Sequence, residues 1–334
     1  MSDLILELKE LKTQFISKDS TVTPVDGVSY NIKKGEILGL VGESGCGKSV
    51  TALSIMRLFR DTTGKITGGS VQFNGKDLVK VSEKEMAMIR GKDIAMIFKE
   101  PLTSLNPVAK IGKQIIEVIL KHEPVSVRQA RETAVKMLEL VGIPRAEQVM
   151  NEYPHQLSGG MNQRVMIAMG MSLNPQVLIA DEPTTALDVT IQAQILELMK
   201  RINEEHGMSI LLITHDLGVV AEMCSRVVVM YAGRIVEEAD AENLFLRPRH
   251  PYTIGLINSI PVIGKNVERL ESIPGNVPSL TNMPLGCKFA PRCSKALERC
   301  KAEEPGLFTV VSDGMERKCR CWLAAEPDKE ASYA

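Results

Sequence analysis

Aromatic residues make up only 4% of the 334-residue sequence, too few to build the stacking platforms that hold single-stranded nucleic acids. Neither sign of charge dominates, since 40 Lys and Arg stand against 41 Asp and Glu for a formal net charge of −1. Without a basic excess there is no electrostatic footprint for nucleic acid or an anionic membrane surface, and no nucleic-acid partner is expected. Long apolar runs are missing too. The longest candidates, such as Ser209 to Thr214, have strand length and fall far short of the roughly 20 residues that cross a bilayer. The opening MSDLILELKELK alternates apolar and charged residues and has neither the core nor the cleavage site of a signal peptide. The chain is therefore expected in the cytoplasm, with membrane contact made through partner proteins. What remains is ordinary: 44% hydrophobic and 24% charged residues, enough for a sizeable core in more than one domain and fewer than three.

Residues 1–245 alternate short β-rich runs with helical stretches. Glu36-Ile-Leu-Gly-Leu-Val41 reads as a buried strand, and Lys48 to Phe59 as the helix that follows it. Val177 to Ala180 and Ile210 to Ile213 are two more continuous apolar strands. Such strands flanked by helices predict an α/β sheet covered on both faces. The opening residues and Gly69 to Leu78 read as antiparallel strands beside that core. Within 107–171 the texture is helical: Val127, Ala130, Ala134, Met137, Leu138 and Val141 recur at helical spacing, which predicts an inserted α-helical subdomain. Past residue 245 the texture changes, with nine of the 17 prolines, and 246–334 is expected to be a separate, loop-rich extension.

Gly42-Glu-Ser-Gly-Cys-Gly47-Lys48-Ser49 fits G-x-x-x-x-G-K-S, directly after a strand and opening a helix. Glycines let backbone N–H groups curl around phosphate oxygens, and the helix N-terminus adds its dipole. Lys48 is expected to reach the β- and γ-phosphates and Ser49 to ligate Mg²⁺. The expected nucleotide-binding set here is Gly42, Ser44, Gly45, Cys46, Gly47, Lys48, Ser49 and Val50, with Cys46 a small filler.

Val177-Leu-Ile-Ala-Asp181-Glu182 puts two carboxylates at the end of a buried strand. Adjacent strand residues point to opposite sides, so the two can have distinct roles. Asp181 is expected to orient Mg²⁺ through its water shell, and Glu182 to polarise the attacking water. A solvated acidic pair at a turn would look the same without the phosphate loop. His215, at another strand end, is placed to contact the γ-phosphate. Leu157-Ser158-Gly159-Gly160-Met161 precedes a helical run from Gln163 to Leu173. Ser158 can cap that helix, and the two glycines bare its first amides. The sequence thus carries a second anion site about 110 residues after the first. One chain rarely needs two sites for one phosphate, whereas two chains arranged head to tail would use both.

These motifs, in this order, resemble the ATP-binding cassette family: the phosphate loop, LSGGM, VLIADE, the aspartate loop Ala186-Leu187-Asp188 and the His215 switch. The resemblance implies a RecA-like P-loop core with an antiparallel β-subdomain and the helical subdomain. It implies catalytic Glu182 and His215, and ATP sandwiched between Lys48 of one subunit and Ser158, Gly159 and Gly160 of another, with Asp188 nearby. Phe15, upstream of the phosphate loop, is either the residue that stacks on adenine or a core phenylalanine. Met96-Ile-Phe-Lys99-Glu-Pro101 resembles the family's glutamine loop, but Lys99 stands where glutamine is expected. A charged lysine cannot ligate a cation, though it can reach phosphate. Lys99 therefore implies either a weakened site, with the subunit acting mainly structurally, or altered Mg²⁺ coordination.

His250-Pro-Tyr-Thr253, Ile273 to Leu280, Glu100 to Pro107 and Val165 to Met169 resemble the subunits of dipeptide and oligopeptide importers, with nickel importers as close relatives. That resemblance implies a second ATPase subunit, two membrane permeases, an extracytoplasmic peptide-binding protein acting indirectly, and a peripheral place on the cytoplasmic membrane face. Of seven cysteines, Cys46 and Cys224 stand apart, while Cys287, Cys293, Cys300, Cys319 and Cys321 cluster late. In a reducing cytosol such a cluster suggests metal more than disulfides. Thiolates alone suit Zn²⁺ or iron–sulfur equally well. The resemblance implies a 4Fe–4S cluster on Cys287, Cys293, Cys300 and Cys321, with Cys319 the competing fourth ligand.

Overall fold

The computed structural model describes residues 3–18, 20–59, 62–185, 187–260, 273–312 and 315–325. Twelve strands run through these residues: β1 (Leu4–Ile16), β2 (Thr21–Lys33), β3 (Ile37–Val41), β4 (Gly64–Phe73), β5 (Lys76–Asp77), β6 (Ile94–Ile97), β7 (Val177–Asp181), β8 (Ser209–Thr214), β9 (Arg226–Tyr231), β10 (Arg234–Asp240), β11 (Phe308–Ser312) and β12 (Met315–Cys319). They belong to two units, one made of Met1–Ile5, Ile32–Ile37 and Lys80–Ile213, the other of Leu6–Asn31, Leu38–Val79 and Thr214–Ala334.

In the first unit β6, β7 and β8 run parallel in the order β8-β7-β6, with Ile94 opposite Val177 and Val177 opposite Ser209. Every residue of β7 and β8 is buried, as continuous apolar strands covered on both faces must be. Helices follow. Ile111–His122 buries Ile111, Ile115 and Ile119, and Val127–Leu140 buries Ala130, Ala134 and Leu138, each a stripe of helical period. Ser126 starts the latter with a reciprocal cap: it accepts the Gln129 amide while the Gln129 side chain accepts its own. Gly159–Met171 completes the set.

In the second unit β1 pairs antiparallel with β4 in a sheet ordered β2-β1-β4-β5. A second sheet places β3 parallel to β9, then continues antiparallel through β10, β12 and β11. The helix Lys48–Met56 is shorter than the expected run to Phe59. Arg57 turns left-handed at φ 50° and returns its N–H to the carbonyls of Leu53 and Ser54.

The extension after residue 245 does not stand apart from this unit. Its strand β12 pairs with β10, matching Glu237 to Cys319 and Glu238 to Lys318. Asp26 of β2 gathers Lys12 at 3.2 Å, Arg234 at 3.1 Å and Lys288 of the extension at 3.2 Å. Burial works to raise the Asp26 pKa, but Arg234 and Lys288 outweigh it and hold the carboxyl below its usual range.

His250 caps the helix Pro251–Asn258, its unprotonated Nδ1 accepting the Tyr252 N–H at 3.1 Å. The ring is fully buried beside the main chain and charge of Arg320 and the Phe289 ring, and Glu237 takes the His250 backbone N–H at 2.9 Å. Burial pushes the His250 pKa down to about 3. The unfolded imidazole, at roughly 6.5, then binds protons that the folded one refuses, so this stability is complete above pH 6.5 and is lost as pH falls toward 3. Glu237, its pKa raised by burial, works in the opposite direction. Comparison with His250→Asn isolates the histidine, because an Asn oxygen keeps the cap without titrating. Between pH 7 and 5 the native chain should lose about 2 kcal/mol relative to His250→Asn in urea unfolding followed by circular dichroism. Parallel pH curves for the two proteins would contradict this.

Candidate functional site

The residues singled out in the sequence divide between the two units. The phosphate loop, Phe15 and His215 lie in the second; Lys99, Ser158 to Gly160, Asp181, Glu182 and Asp188 lie in the first.

The phosphate loop leaves β3 and enters the helix Lys48–Met56 through Gly47, whose φ of 108° is open to glycine. A Cβ there would stand 2.1 Å from the Pro24 carbonyl oxygen, so no other residue fits. The Lys48 ammonium, 5% exposed, donates to the carbonyls of Gly42 at 2.6 Å and Glu43 at 3.0 Å and approaches the Cys46 sulfur at 3.7 Å. Cys46 is buried, which raises its thiol pKa and keeps it an inert filler at neutral pH. Ser44 and Gly45 form the exposed crown of the loop, while Ser49 and Val50 open the helix. Phe15 is half-buried and meets Phe59 edge to face, with ring centroids 5.9 Å apart. His215 follows β8 directly and is exposed. The next residue, Asp216, starts the helix Leu217–Met223 by accepting the Gly218 amide at 2.9 Å.

Asp181 closes β7 and is buried. Glu182 leaves the strand: its φ of 48° is left-handed, an unusual conformation for a residue with a Cβ and one that stores strain at functional turns. Glu182 thus lies past the end of the pleated strand that Asp181 closes. The Glu182 N–H still donates to Ile213 at 2.8 Å, and Thr185 Oγ1 donates to Glu182 Oε2 at 3.0 Å. Lys99 Nζ lies 2.8 Å from the same carboxylate. Its hydrogen bond to Glu182 raises the Lys99 pKa, against a smaller pull from burial, and the charges of Glu182, Asp181 and Glu100 add to the rise. Lys99 is therefore an ammonium ion with a carboxylate partner. Nothing in the local sequence announced the pair, which joins segments more than eighty residues apart.

Ser158 caps the helix Gly159–Met171, accepting the Met161 amide at 3.3 Å. Gly159 and Gly160 thus present the first helical amides, and a Cβ on Gly160 would press on Ile191 at 2.9 Å. Asp188 caps the helix Val189–His206 through the Ile191 amide at 2.9 Å. Both helix starts line one open cavity of about 490 Å³ together with Arg164 and Gln194. Ala186, the first residue of the aspartate loop, lies outside the described residues.

A model of the family described as ABC transporter matches residues 25–185, and one described as Oligopeptide/dipeptide transporter, C-terminal region, matches 236–300. The chain is 54% identical over 328 residues to the oligopeptide transport ATP-binding protein AppD of Bacillus subtilis, covering 98% of this chain and 99% of the relative. The chain belongs to the ABC transporter family. It is 48% identical to the dipeptide transport ATP-binding protein DppD of Escherichia coli over 94% of this chain and 96% of that one. Among solved structures it is similar to the dimeric post-hydrolysis state of the ATP-binding cassette MJ0796 bound to ADP and Pi. That match has a TM-score of 0.64 and 28% identity, covering 71% of this chain and 99% of the other. This ABC chain is accordingly an α/β P-loop ATPase. No helix among its described residues is long and apolar enough to cross a membrane.

The extension links two of its late cysteines through the main chain. The Cys287 N–H donates to the Cys300 carbonyl at 2.8 Å. Burial raises the Cys287 pKa, and the nearby Cys300 and Cys293 thiols add to it. Cys321 is pushed up to about 11, first by burial, with Cys287 and Cys293 adding and two backbone amides opposing. Cys319 is raised by burial and then by Glu237, so it faces a carboxylate as well as Cys321. Among the described residues, no three His, Cys, Asp or Glu stand close enough to hold a single metal ion.

The glycine geometry separates two substitutions. Gly47→Ala should abolish nucleotide binding, because a methyl cannot enter 2.1 Å from a backbone oxygen. Gly45→Ala, whose Cβ meets nothing within 4 Å, should cost only about 1–2 kcal/mol of left-handed strain and leave a folded protein that binds. Equal losses in a fluorescent-nucleotide titration would contradict the difference.

Proposed function

We propose that this chain is the Mg-ATP-hydrolysing subunit of a peptide importer, working in a head-to-tail pair of cassettes beneath two membrane permeases on the cytoplasmic face. The observation that carries the reading is the double match: the ABC transporter model, plus an extension of the oligopeptide/dipeptide type, with relatives near 50% identity along almost the whole chain. In this reading 1–245 form the cassette, with a helical part at 107–171, and 246–334 form the importer-type extension.

Lys48 and the loop residues Gly42, Ser44, Gly45, Cys46, Gly47, Ser49 and Val50 hold the β- and γ-phosphates, and Phe15 flanks the adenine. Ser49 and Asp181 supply hard oxygen donors of the kind Mg²⁺ takes, and the ion would neutralise charge on the phosphates. Ser158, Gly159 and Gly160, with Asp188 beside them, serve the triphosphate held by the neighbouring cassette. The cavity shared by the Ser158 and Asp188 helix starts supports this, because it offers bare amides and helix dipole to an anion. Glu182 accepts a proton from water as the water attacks the γ-phosphorus, and the bond to the β-phosphate oxygen breaks. His215 contacts the transferred phosphoryl oxygens.

The Lys99–Glu182 ion pair favours a second element in the reading, a brake on turnover. A carboxylate held by an ammonium ion is a weaker partner for water. Because Lys99 is half exposed, the pair is screened and worth only about 0.2–1 kcal/mol, so the brake is weak. In the assembled transporter, Glu182→Gln should lower ATP turnover by about a hundredfold or more while ATP still binds. Lys99→Gln should raise turnover roughly two- to fivefold. Unchanged turnover in Glu182→Gln would overturn the catalytic assignment, and a slower Lys99→Gln would show lysine acting on phosphate instead.

The extension is proposed to hold a 4Fe–4S cluster on Cys287, Cys293, Cys300 and Cys321. The four thiols fit such a group in donor chemistry, because soft thiolates are the ligands that iron–sulfur centres take. Anaerobic purification should yield iron and acid-labile sulfide in equal amounts, lost in Cys300→Ser and kept in Cys319→Ser. Zinc without iron would contradict it.

A further inference from the structure

The segment from Cys287 to Cys293 turns three side chains toward the phosphate-loop half of its own unit. Lys288 reaches Asp26 and the Ala232 carbonyl, each at 3.2 Å. Phe289 packs against Tyr231 at 5.2 Å and Tyr252 at 5.4 Å. Arg292 reaches Glu43, the second residue of the phosphate loop, with both arms of its guanidinium: Nη1 to Oε2 at 2.6 Å and Nη2 to Oε1 at 3.0 Å. This fork is the strongest geometry a carboxylate can accept, and the Arg292 side chain is only 4% exposed, so water does little to screen it.

Arg292 is itself held on every side. Its Nε donates to the Pro274 carbonyl at 2.8 Å, and its Nη1 to the Tyr231 hydroxyl at 3.4 Å. The same loop residue is gripped a second time, because the Glu43 N–H donates to the Tyr252 hydroxyl at 2.8 Å. Tyr252 is fully buried against Tyr231, with ring centroids 4.6 Å apart. Glu43 in turn supplies one of the carbonyls that receive Lys48. Side chain, amide and carbonyl of this single residue are thus all committed, two of them to the extension.

We propose that Arg292 is a positioning residue for the phosphate loop, and that through Arg292 and Tyr252 the extension sets the affinity of this chain for ATP. A loop that binds an anion by several backbone amides works only while those amides converge. Glycines make the loop able to adopt that shape, but they also leave it free to abandon it. The fork to Glu43 removes that freedom from outside the loop. The idea rests on Gly42 to Ser49 being the phosphate site, and it holds whatever the late cysteines carry.

The test uses the full chain and a fluorescent ATP analogue. Arg292→Gln should weaken binding about tenfold, with KM for ATP rising in step and kcat at saturation within twofold of native. Arg292→Lys should recover part of the loss, since one ammonium replaces a fork. Should Arg292→Gln fold poorly, Glu43→Gln keeps the question open from the loop side, where the residue is partly exposed. Glu43→Gln should also weaken binding, about three- to fivefold, although it removes a negative charge from an anion site. The double substitution should be no worse than Arg292→Gln alone. Native or tighter binding in Glu43→Gln, or additive losses in the double variant, would overturn the proposal. Lys48→Ala is the separate control: if it leaves binding intact, the reading of the phosphate loop itself has failed.

Discussion

A triphosphate concentrates negative charge that one glycine loop and one lysine cannot fully surround. In the proposed pairing the chain meets it at two glycine-bearing helix starts, the loop entering Lys48 and the helix start at Gly159. Each depends on the same physics: the dipole of a helix N-terminus, and glycines that let an anion approach the main chain. The rest of the architecture serves to hold these helix starts still. Buried parallel strands carry Asp181 and Glu182 to their ends in one unit, and β3 delivers the phosphate loop in the other.

Holding the loop still is also where the extension acts. Its β12 strand extends the sheet beside β10, and its ionic contacts reach Asp26 and Glu43 through basic side chains that are themselves buried or mostly so. Broken contacts of this kind leave uncompensated charge, which makes them costly to lose and good at fixing one arrangement. The extension is therefore joined to the nucleotide end of the chain more closely than its proline-rich texture suggests. In the proposed importer, such a joint gives the cysteine neighbourhood a short mechanical route to ATP, through the seven residues from Cys287 to Cys293.

Motifs that are local in sequence were legible without coordinates. The strand–loop–helix around Lys48, the apolar runs of β7 and β8, and the Ser158 cap each need only a few adjacent residues, so pattern and period reveal them. What stayed hidden depends on chain segments meeting. Lys99 beside Glu182, and Arg292 on Glu43 across 249 residues, leave no mark on either segment alone. The left-handed turn at Glu182 was hidden for another reason: nothing in a glutamate's identity announces a positive φ, and the surrounding fold imposes it. The placement of Cys319 opposite Glu237 likewise follows from β12 pairing with β10, which spacing between cysteines does not encode.

The proposed function depends most on the Ser158 helix start meeting a triphosphate that another cassette holds. Cryo-electron microscopy of the assembled transporter, trapped with ATP by Glu182→Gln, tests this directly. The Ser158 hydroxyl and the Gly160 amide of this chain should lie within hydrogen-bond distance of a γ-phosphate whose other contacts come from the neighbouring subunit. A Ser158 loop far from every bound nucleotide would contradict it.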